Sequence, residues 1–260
     1  MKVTVLGGAA ACPNPGQGCS SYLIEHGSSS LLLDCGPDTL STLRQATDYR
    51  SIDAIIISHT HADHTLDLIP YRYGLRYEPA GERHRIPLWL PPDGSQFLER
   101  LASALAHDDE GSLEFFESTF DLREYGTDHD YEIGPFRLRF CRTFHAIPCW
   151  AVQVECDDGA SITYLADSSF HPALIEFASG SDVLICEGTV VGSSDGGSYE
   201  LQTHMSAAQA GDLATAAEAG QLILTHLWSA LGFDNYESEA RRHFSGVLHR
   251  ATPGLVVETK

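Results

Sequence analysis

The sequence predicts a four-layer αβ/βα sandwich, an α+β architecture in which two β-sheets pack face to face under outer helices. Three observations carry that reading. Short β-type runs open each half of the chain as meander-like pairs. In both halves, strands then mix with helical segments. Polar side chains able to bind metals recur where apolar runs stop, as expected of loops that converge on a rigid sheet edge.

The elements follow in order. Val3–Leu6 reads as the first strand. The surrounding segment Met1–Gly8 is too short, and too quickly broken by glycine, to be a secretory core. Ser21–Glu25 and Ser30–Asp34 form the next pair, and Thr39–Ala46 is a short helix. Ala54–Ser58 and Arg85–Leu90 are further strands. Gln96–His107 is helical, with Phe97, Leu101 and Leu105 at helical spacing. In the second half the runs are Phe136–Phe144, Ala151–Glu155, Ser161–Ala166, Val183–Cys186, Leu222–Thr225 and Leu255–Glu258. A helix over Ser206–Ala219 has Ser206 as its N-cap, and one over Asp234–Phe244 has Asp234. Gly192–Ser198 is a loop by composition and lacks the strand-to-helix setting of a phosphate-binding loop. No internal repeat is visible, and residues 1–260 are read as one domain.

Composition narrows the function. Hydrophobic residues at 43% and charged residues at 20% are ordinary for a globular enzyme. Sixteen basic residues against 36 acidic ones leave a net charge of −20, a poor match to a long polyanion. No apolar run approaches the ~20 residues that span a bilayer. The expectation is a cytoplasmic protein with neither a membrane nor a nucleic acid as its partner. Seven cysteines, an odd number without a Cys-x-x-Cys pair, read as free thiols rather than a disulfide framework.

The chemistry is concentrated in residues 59–64, His-Thr-His-Ala-Asp-His, directly after the apolar run Ala54–Ile57. Imidazole nitrogen and carboxylate oxygen are the donors that zinc and similar divalent ions prefer. Four donors (His59, His61, Asp63 and His64) are too many for one open catalytic ion, so the cluster points to a metal pair and to hydrolysis. His145, Asp167 and His226 each follow the end of a predicted strand. Alone, His145 or His226 would pass for an ordinary partly buried histidine. Beside the 59–64 cluster they become further ligand candidates. His26, His84, His107, His129, His171, His243 and His249 lack that context and read as surface or structural residues.

These pieces together resemble a metallo-β-lactamase-fold hydrolase of the ribonuclease Z-like branch. The matching segments are Leu6-Gly7, Leu33-Asp34-Cys35-Gly36, Ser58 to His64, His145, Ala166-Asp167-Ser168, Cys186-Glu187-Gly188-Thr189, His204-Met205-Ser206 and Leu224-Thr225-His226, in family order over most of the chain. The resemblance implies that His59, His61 and His145 hold one divalent ion. Asp63, His64 and His226 would hold a second, with Asp167 bridging. Asp34 would orient a ligand histidine. Zinc is the default ion for such a set, and manganese and iron suit it too.

The same resemblance makes Asp63, His204 and Glu187 the candidate catalytic residues. His204 would give a proton to the leaving alkoxide, Glu187 would orient it, and a hydroxide held by the pair of ions would attack. A long arm that clamps tRNA typically lies between the positions of His145 and Asp167 in tRNA-processing relatives. Only 21 residues separate them here. The implied function is therefore dinuclear hydrolysis of a small phosphodiester, as in stand-alone bacterial cyclic-nucleotide phosphodiesterase relatives. The alternatives are RNA 3′-end processing and a lactonase or thioesterase activity. Arg72, Arg76, Arg83 and Arg85, interleaved with Tyr71, Tyr73, Leu75 and Tyr77, would contact substrate phosphate or form the interface of a homodimer.

Overall fold

The computed structural model describes residues 1–79, 84–106, 114–190 and 201–260. The first half runs through β1 (Lys2–Ala9), β2 (Gly18–Cys19), β3 (Ser21–His26), β4 (Ser29–Leu33), α1 (Thr39–Ala46) and β5 (Ala54–Ile56). It continues with α2 (Ala62–Thr65), α3 (Leu68–Tyr77), β6 (Ile86–Leu90), α4 (Gly94–Ser103), α5 (Glu114–Glu117) and β7 (Phe120–Glu124). The second half contains β8 (Tyr131–Ile133), β9 (Phe136–Arg142), β10 (Trp150–Cys156), β11 (Ser161–Tyr164), α6 (Pro172–Phe177), β12 (Val183–Glu187) and α7 (Ala207–Ala216). It ends with β13 (Gln221–Thr225), α8 (Phe233–Arg241), β14 (Val247–Arg250) and β15 (Val256–Glu258).

The two halves share one plan. In the first sheet β1, β3 and β4 pair antiparallel, and β4, β5, β6 and β7 pair parallel. In the second, β8 to β11 pair antiparallel and β11 to β14 parallel. β15 returns to pair antiparallel with β1.

Period-two alternation along each strand builds the layers. Leu31 and Leu33 face inward to a core between the sheets, with Val5, Ile24, Ile56, Val152, Ile162 and Ile185. Leu32 and Ile55 face outward and bury against α1, α3 and α4 through Leu43, Leu68 and Leu98. Leu184 and Leu222 do the same against α7 and α8 through Leu213 and Tyr236. Each fully buried Leu or Ile contributes about 1.5–3 kcal/mol relative to exposure, so three such clusters specify four layers.

Several boundaries differ from expectation for physical reasons. α1 has the bounds the sequence suggests, and α7 starts with the expected Ser206 cap, closed into a capping box with Gln209. The last helix is capped by Gly232 and begins at Phe233, so Asp234 lies inside its first turn rather than at the cap. α4 ends at Ser103, and His107 falls outside the described residues.

β2, β7, β8 and β14 were not expected, being short or rich in charged residues. α3 was hidden by Pro70 and Gly74. Pro70 falls in the first turn, where the missing N–H costs nothing. At Gly74 a Cβ would stand 3.0 Å from the Tyr49 hydroxyl, so the glycine permits close packing.

Candidate metal centre

The candidate metal ligands and catalytic residues all meet at one edge of the sandwich. Parallel neighbours end on the same side, so the turns after β4, β5, β11, β12 and β13 converge there. They deliver Asp34, the 59–64 loop, Asp167, Glu187 and His226. β9 runs in the same sense as β11 and delivers His145. His204 arrives just before the α7 cap.

The backbone bends sharply at these exits. Ala11, Asp34, Ala166 and His226 all have positive φ (51° to 58°), a region that disfavours side-chain-bearing residues by of order 1–3 kcal/mol each. Gly36 lets a second loop close on the first: a Cβ there would lie 2.0 Å from the Asp63 carbonyl oxygen.

Two donor groups that share Asp167 result, and a third combination, Glu187, His204 and His226, lies beside them. Of the two, one is His59, His61, His145 and Asp167; the other is Asp63, His64, His226 and Asp167. In each, the donor atoms lie within 4.8 Å of one another. In the first, His61 Nδ1 is 3.1 Å from both His59 Nε2 and His145 Nε2. Asp167 Oδ2 is 3.7 Å and 3.8 Å from those Nε2 atoms. In the second, Asp63 Oδ2 is 3.1 Å from His226 Nε2 and 3.5 Å from His64 Nε2. Asp167 closes this group too, with Oδ1 3.5 Å from His64 Nε2 and Oδ2 3.5 Å from His226 Nε2.

The outer nitrogens of four of the five histidines are occupied. His64 Nδ1 meets Asp34 Oδ2 at 2.7 Å, and His226 Nδ1 meets Thr189 Oγ1 at 2.7 Å. His59 Nδ1 is 3.0 Å from Ser58 Oγ, and His145 Nδ1 donates to the Thr203 carbonyl at 3.2 Å. Partners of this kind fix the tautomer, placing the proton on Nδ1 and leaving Nε2 bare toward the centre. The Ala11 amide holds Asp63 Oδ2 at 2.9 Å.

Asp34 is itself fully buried. It accepts from the Ser58 amide at 2.7 Å, the Ser58 hydroxyl at 2.8 Å and the Tyr164 hydroxyl at 2.7 Å.

These residues fit divalent cations. Bare imidazole nitrogens facing each other at 3.1 Å need a positive charge between them. His64 Nε2 is buried without a hydrogen-bond partner among the described residues. Donor separations below 4.8 Å are those of atoms about 2.0–2.2 Å from a shared ion. The fit supports divalent metal binding and does not choose the metal.

The electrostatics agree. Burial lowers the pKa of His59, His61 and His145, helped by repulsion from neighbouring histidines (His64 on His59, His145 on His61, His204 on His145), so they stay neutral and ligand-ready. Burial acts the same way on His64, but Asp167, Asp34 and Asp63 overcome it and raise its pKa well above the usual value. Burial raises the carboxylic pKa values of Asp63 and Asp167. The surrounding histidines reverse this and hold both ionised.

Glu187 and His204 form a further unit, adjoining the second group at His226, with the donor atoms of all three within 4.8 Å of one another. His204 Nδ1 lies 2.9 Å and 3.0 Å from the two Glu187 oxygens. Glu187 also accepts from the Ser168 amide at 2.7 Å and from Thr189 Oγ1 at 2.5 Å. The His204 ring stacks 5.3 Å from that of His226 and lies 4.9 Å from that of His145. Burial lowers the His204 pKa, Glu187 more than offsets this, and the value rises to about 9.

The arginine segment needs correcting. Arg72 neither faces the centre nor lies on the surface. It is buried, its Nε donates to the Phe115 carbonyl at 2.7 Å, and its guanidinium lies 3.8 Å from the Phe115 ring centroid. Arg85 precedes β6, at the end of that strand away from the centre. Arg83 lies outside the described residues. Tyr71 and Leu75 are core residues, whereas Tyr73 and Tyr77 expose stacked rings.

Sequence reasoning missed the supporting roles of Tyr164, Ser58 and Thr189. The last two sat inside quoted motifs, and Tyr164 reads as an ordinary strand residue.

Comparison with known proteins agrees with the geometry. Residues 30–227 match the model of a beta-lactamase superfamily domain. The probable metallo-hydrolase YhfI of Bacillus subtilis (strain 168) is 32% identical over 261 residues, covering 99% of this chain and 100% of that protein. The crystal structure of the metallo-beta-lactamase fold protein YhfI superimposes with a TM-score of 0.84 over 99% of both chains, at 31% identity. A ribonuclease Z of Lachnoclostridium phytofermentans is 30% identical over 272 residues, 87% of each chain. That aligned stretch exceeds the part of this chain it covers, so the ribonuclease carries segments without a counterpart here. A diphosphatase from the PhnP family shares the fold with a TM-score of 0.72 at 20% identity, over 100% of this chain and 98% of that one.

Proposed function

The chain belongs to the beta-lactamase superfamily, in the ribonuclease Z-like branch of its metal-dependent hydrolases, and from that premise we propose a dinuclear phosphodiesterase acting on a small, cyclic-nucleotide-type phosphodiester. The observation that carries this reading is the Glu187–His204 pair beside the two donor groups. A hydrolase of activated esters expels a good leaving group and needs no acid. Phosphodiester cleavage expels an alkoxide, where a positioned general acid contributes roughly 10²–10⁴ in rate.

His204 suits that task. Glu187 occupies its Nδ1, so Nε2 is the ring atom that delivers a proton. With its pKa at about 9, the ring carries that proton at neutral pH. His59, His61 and His145 would hold one cation, Asp63, His64 and His226 the other, and Asp167 both. Divalent ions bound there neutralise phosphoryl oxygens and lower the pKa of the attacking water. Asp63 stays ionised and is fixed by the Ala11 amide, so it presents a rigid carboxylate to the centre.

A small substrate is supported by the connection between His145 and Asp167. It is the β10–β11 hairpin, which turns within residues 157–160 and leaves no room for a clamping arm. The charge of −20 points the same way. The ribonuclease Z relative favours RNA 3′-end processing as a second reading.

The test is direct. Protein loaded with zinc or manganese is assayed on 3′,5′-cyclic AMP, bis(p-nitrophenyl) phosphate, a tRNA precursor and a lactone. Cleavage of the cyclic nucleotide and the aryl diester is expected, and activity on the lactone alone would overturn the proposal. His204→Ala should keep both ions yet lose roughly 10²–10⁴ in turnover on the cyclic nucleotide. Unchanged turnover removes His204 from the role of acid.

A further inference from the structure

Thr189 is outside both donor groups, yet its hydroxyl touches the second group at His226 and the Glu187–His204 pair at Glu187. Oγ1 lies 2.5 Å from Glu187 Oε2 and 2.7 Å from His226 Nδ1. A hydroxyl has one proton to give and two lone pairs to offer. The Glu187 carboxylate, which also accepts from the Ser168 amide and His204, is the nearer and charged acceptor, so the Thr189 proton points at it rather than at the His226 carbonyl oxygen 3.1 Å away. Oγ1 is then the acceptor toward His226. That places the ring proton of His226 on Nδ1 and leaves Nε2 bare toward Asp63 and Asp167. A directed chain results, running from His226 through Thr189 to Glu187, where His204 also donates.

The residue is held for this purpose. Thr189 is buried, its main chain bridges to Ser206, and its carbonyl accepts from the Tyr236 hydroxyl at 3.1 Å. Hydrogen bonds in such a chain polarise one another in a low-dielectric interior.

We propose that Thr189 is a positioning residue that couples the His226 side of the metal centre to the Glu187–His204 pair. The hydroxyl fixes the tautomer of a ligand and, with the same proton, the orientation of the carboxylate behind His204. The His204 half of this inference rests on the phosphodiesterase reading; the His226 half does not.

Thr189→Val keeps the shape and deletes the hydroxyl, and Thr189→Ser restores it. In the metal-free protein, long-range ¹H–¹⁵N spectra of the histidine rings should show His226 protonated at Nδ1, and Val should convert it to a tautomer mixture. In cobalt(II) titrations followed by absorbance, Val should weaken one of the two ions by roughly 10–100-fold and spare the other. With saturating metal, kcat on 3′,5′-cyclic AMP should fall at least tenfold more than kcat on bis(p-nitrophenyl) phosphate, KM should hold, and Ser should rescue both. In the His204→Ala background the extra loss on the cyclic nucleotide should vanish.

The coupling is overturned if Val leaves the tautomer and both cobalt affinities unchanged, or if Ser fails to rescue what Val loses. If the unaltered protein cleaves neither substrate, the functional reading falls, and the ring spectra and cobalt titrations still decide the role of Thr189.

Discussion

The two donor groups share Asp167 but are built on different electrostatics. The group of His59, His61 and His145 is supported by neutral oxygens, Ser58 Oγ and the Thr203 carbonyl. The group of Asp63, His64 and His226 has a carboxylate of its own, and two more stand behind it. Asp34 lies against His64, and Glu187 is reached from His226 through Thr189. The first group is thus pre-set neutral and waits for an ion. The second concentrates negative charge and gathers a proton on His64 when no cation competes. A pair of ions in this fold therefore need not bind alike, and the more acidic group should hold the tighter one.

The hardest blow to that asymmetry is Asp63→Asn, which deletes the carboxylate that only the second group owns. Metal content by mass spectrometry should fall from two ions per chain to one, with turnover reduced more than 100-fold, since two-ion chemistry needs both. Loss of both ions together would show that the groups are not separable. Asp34→Asn is gentler. It keeps the volume but removes the charge behind His64, and should weaken one ion by roughly 10–100-fold in a competitive chelator titration.

Acidity sharpens the contrast further. The His64 pKa is raised, so near neutral pH a cation must displace its proton, whereas the lowered histidines of the first group are already bare. Calorimetry in buffers of different ionisation enthalpy should find about one proton released by one binding event and close to none by the other. As the pH rises, the proton-coupled event should strengthen more. The same sign logic applies to His204. Turnover should fall on the alkaline side with an apparent pKa at or below about 9, because bound cations repel the proton.

The smallest effect is expected from Ser58→Ala. It removes one of several hydrogen bonds to Asp34 and the contact to His59, so both ions should weaken by only a few-fold in the same titration.

Much of this centre could be read from the chain because six residues, 59–64, carry four donors without interruption. His145, Asp167 and His226 followed from strand ends, where polarity breaks an apolar run. What escaped is physically instructive. Tyr164 sits in the middle of β11, where a tyrosine looks like core until its hydroxyl is seen on Asp34. Arg72 looked like a surface charge because sequence does not reveal that a phenylalanine ring and a carbonyl, 43 residues away, enclose it. The edge strands β7 and β14 mix polar and charged residues with apolar ones, since only one face of each is covered. α3 contains Pro70, harmless in the first turn, and Gly74, whose cost is offset by the helix's buried face.

The donors come from both sheets: His59, His61, Asp63 and His64 from the first, His145, Asp167 and His226 from the second. Each cation would then act as a rivet across the sandwich, and chelation would loosen the seam as well as silence the site. A ligand present at a hundred times its dissociation constant adds about 2.7 kcal/mol to folding stability. Melting temperature should therefore track free metal concentration even in a His204→Ala protein, whose turnover of the cyclic nucleotide is crippled.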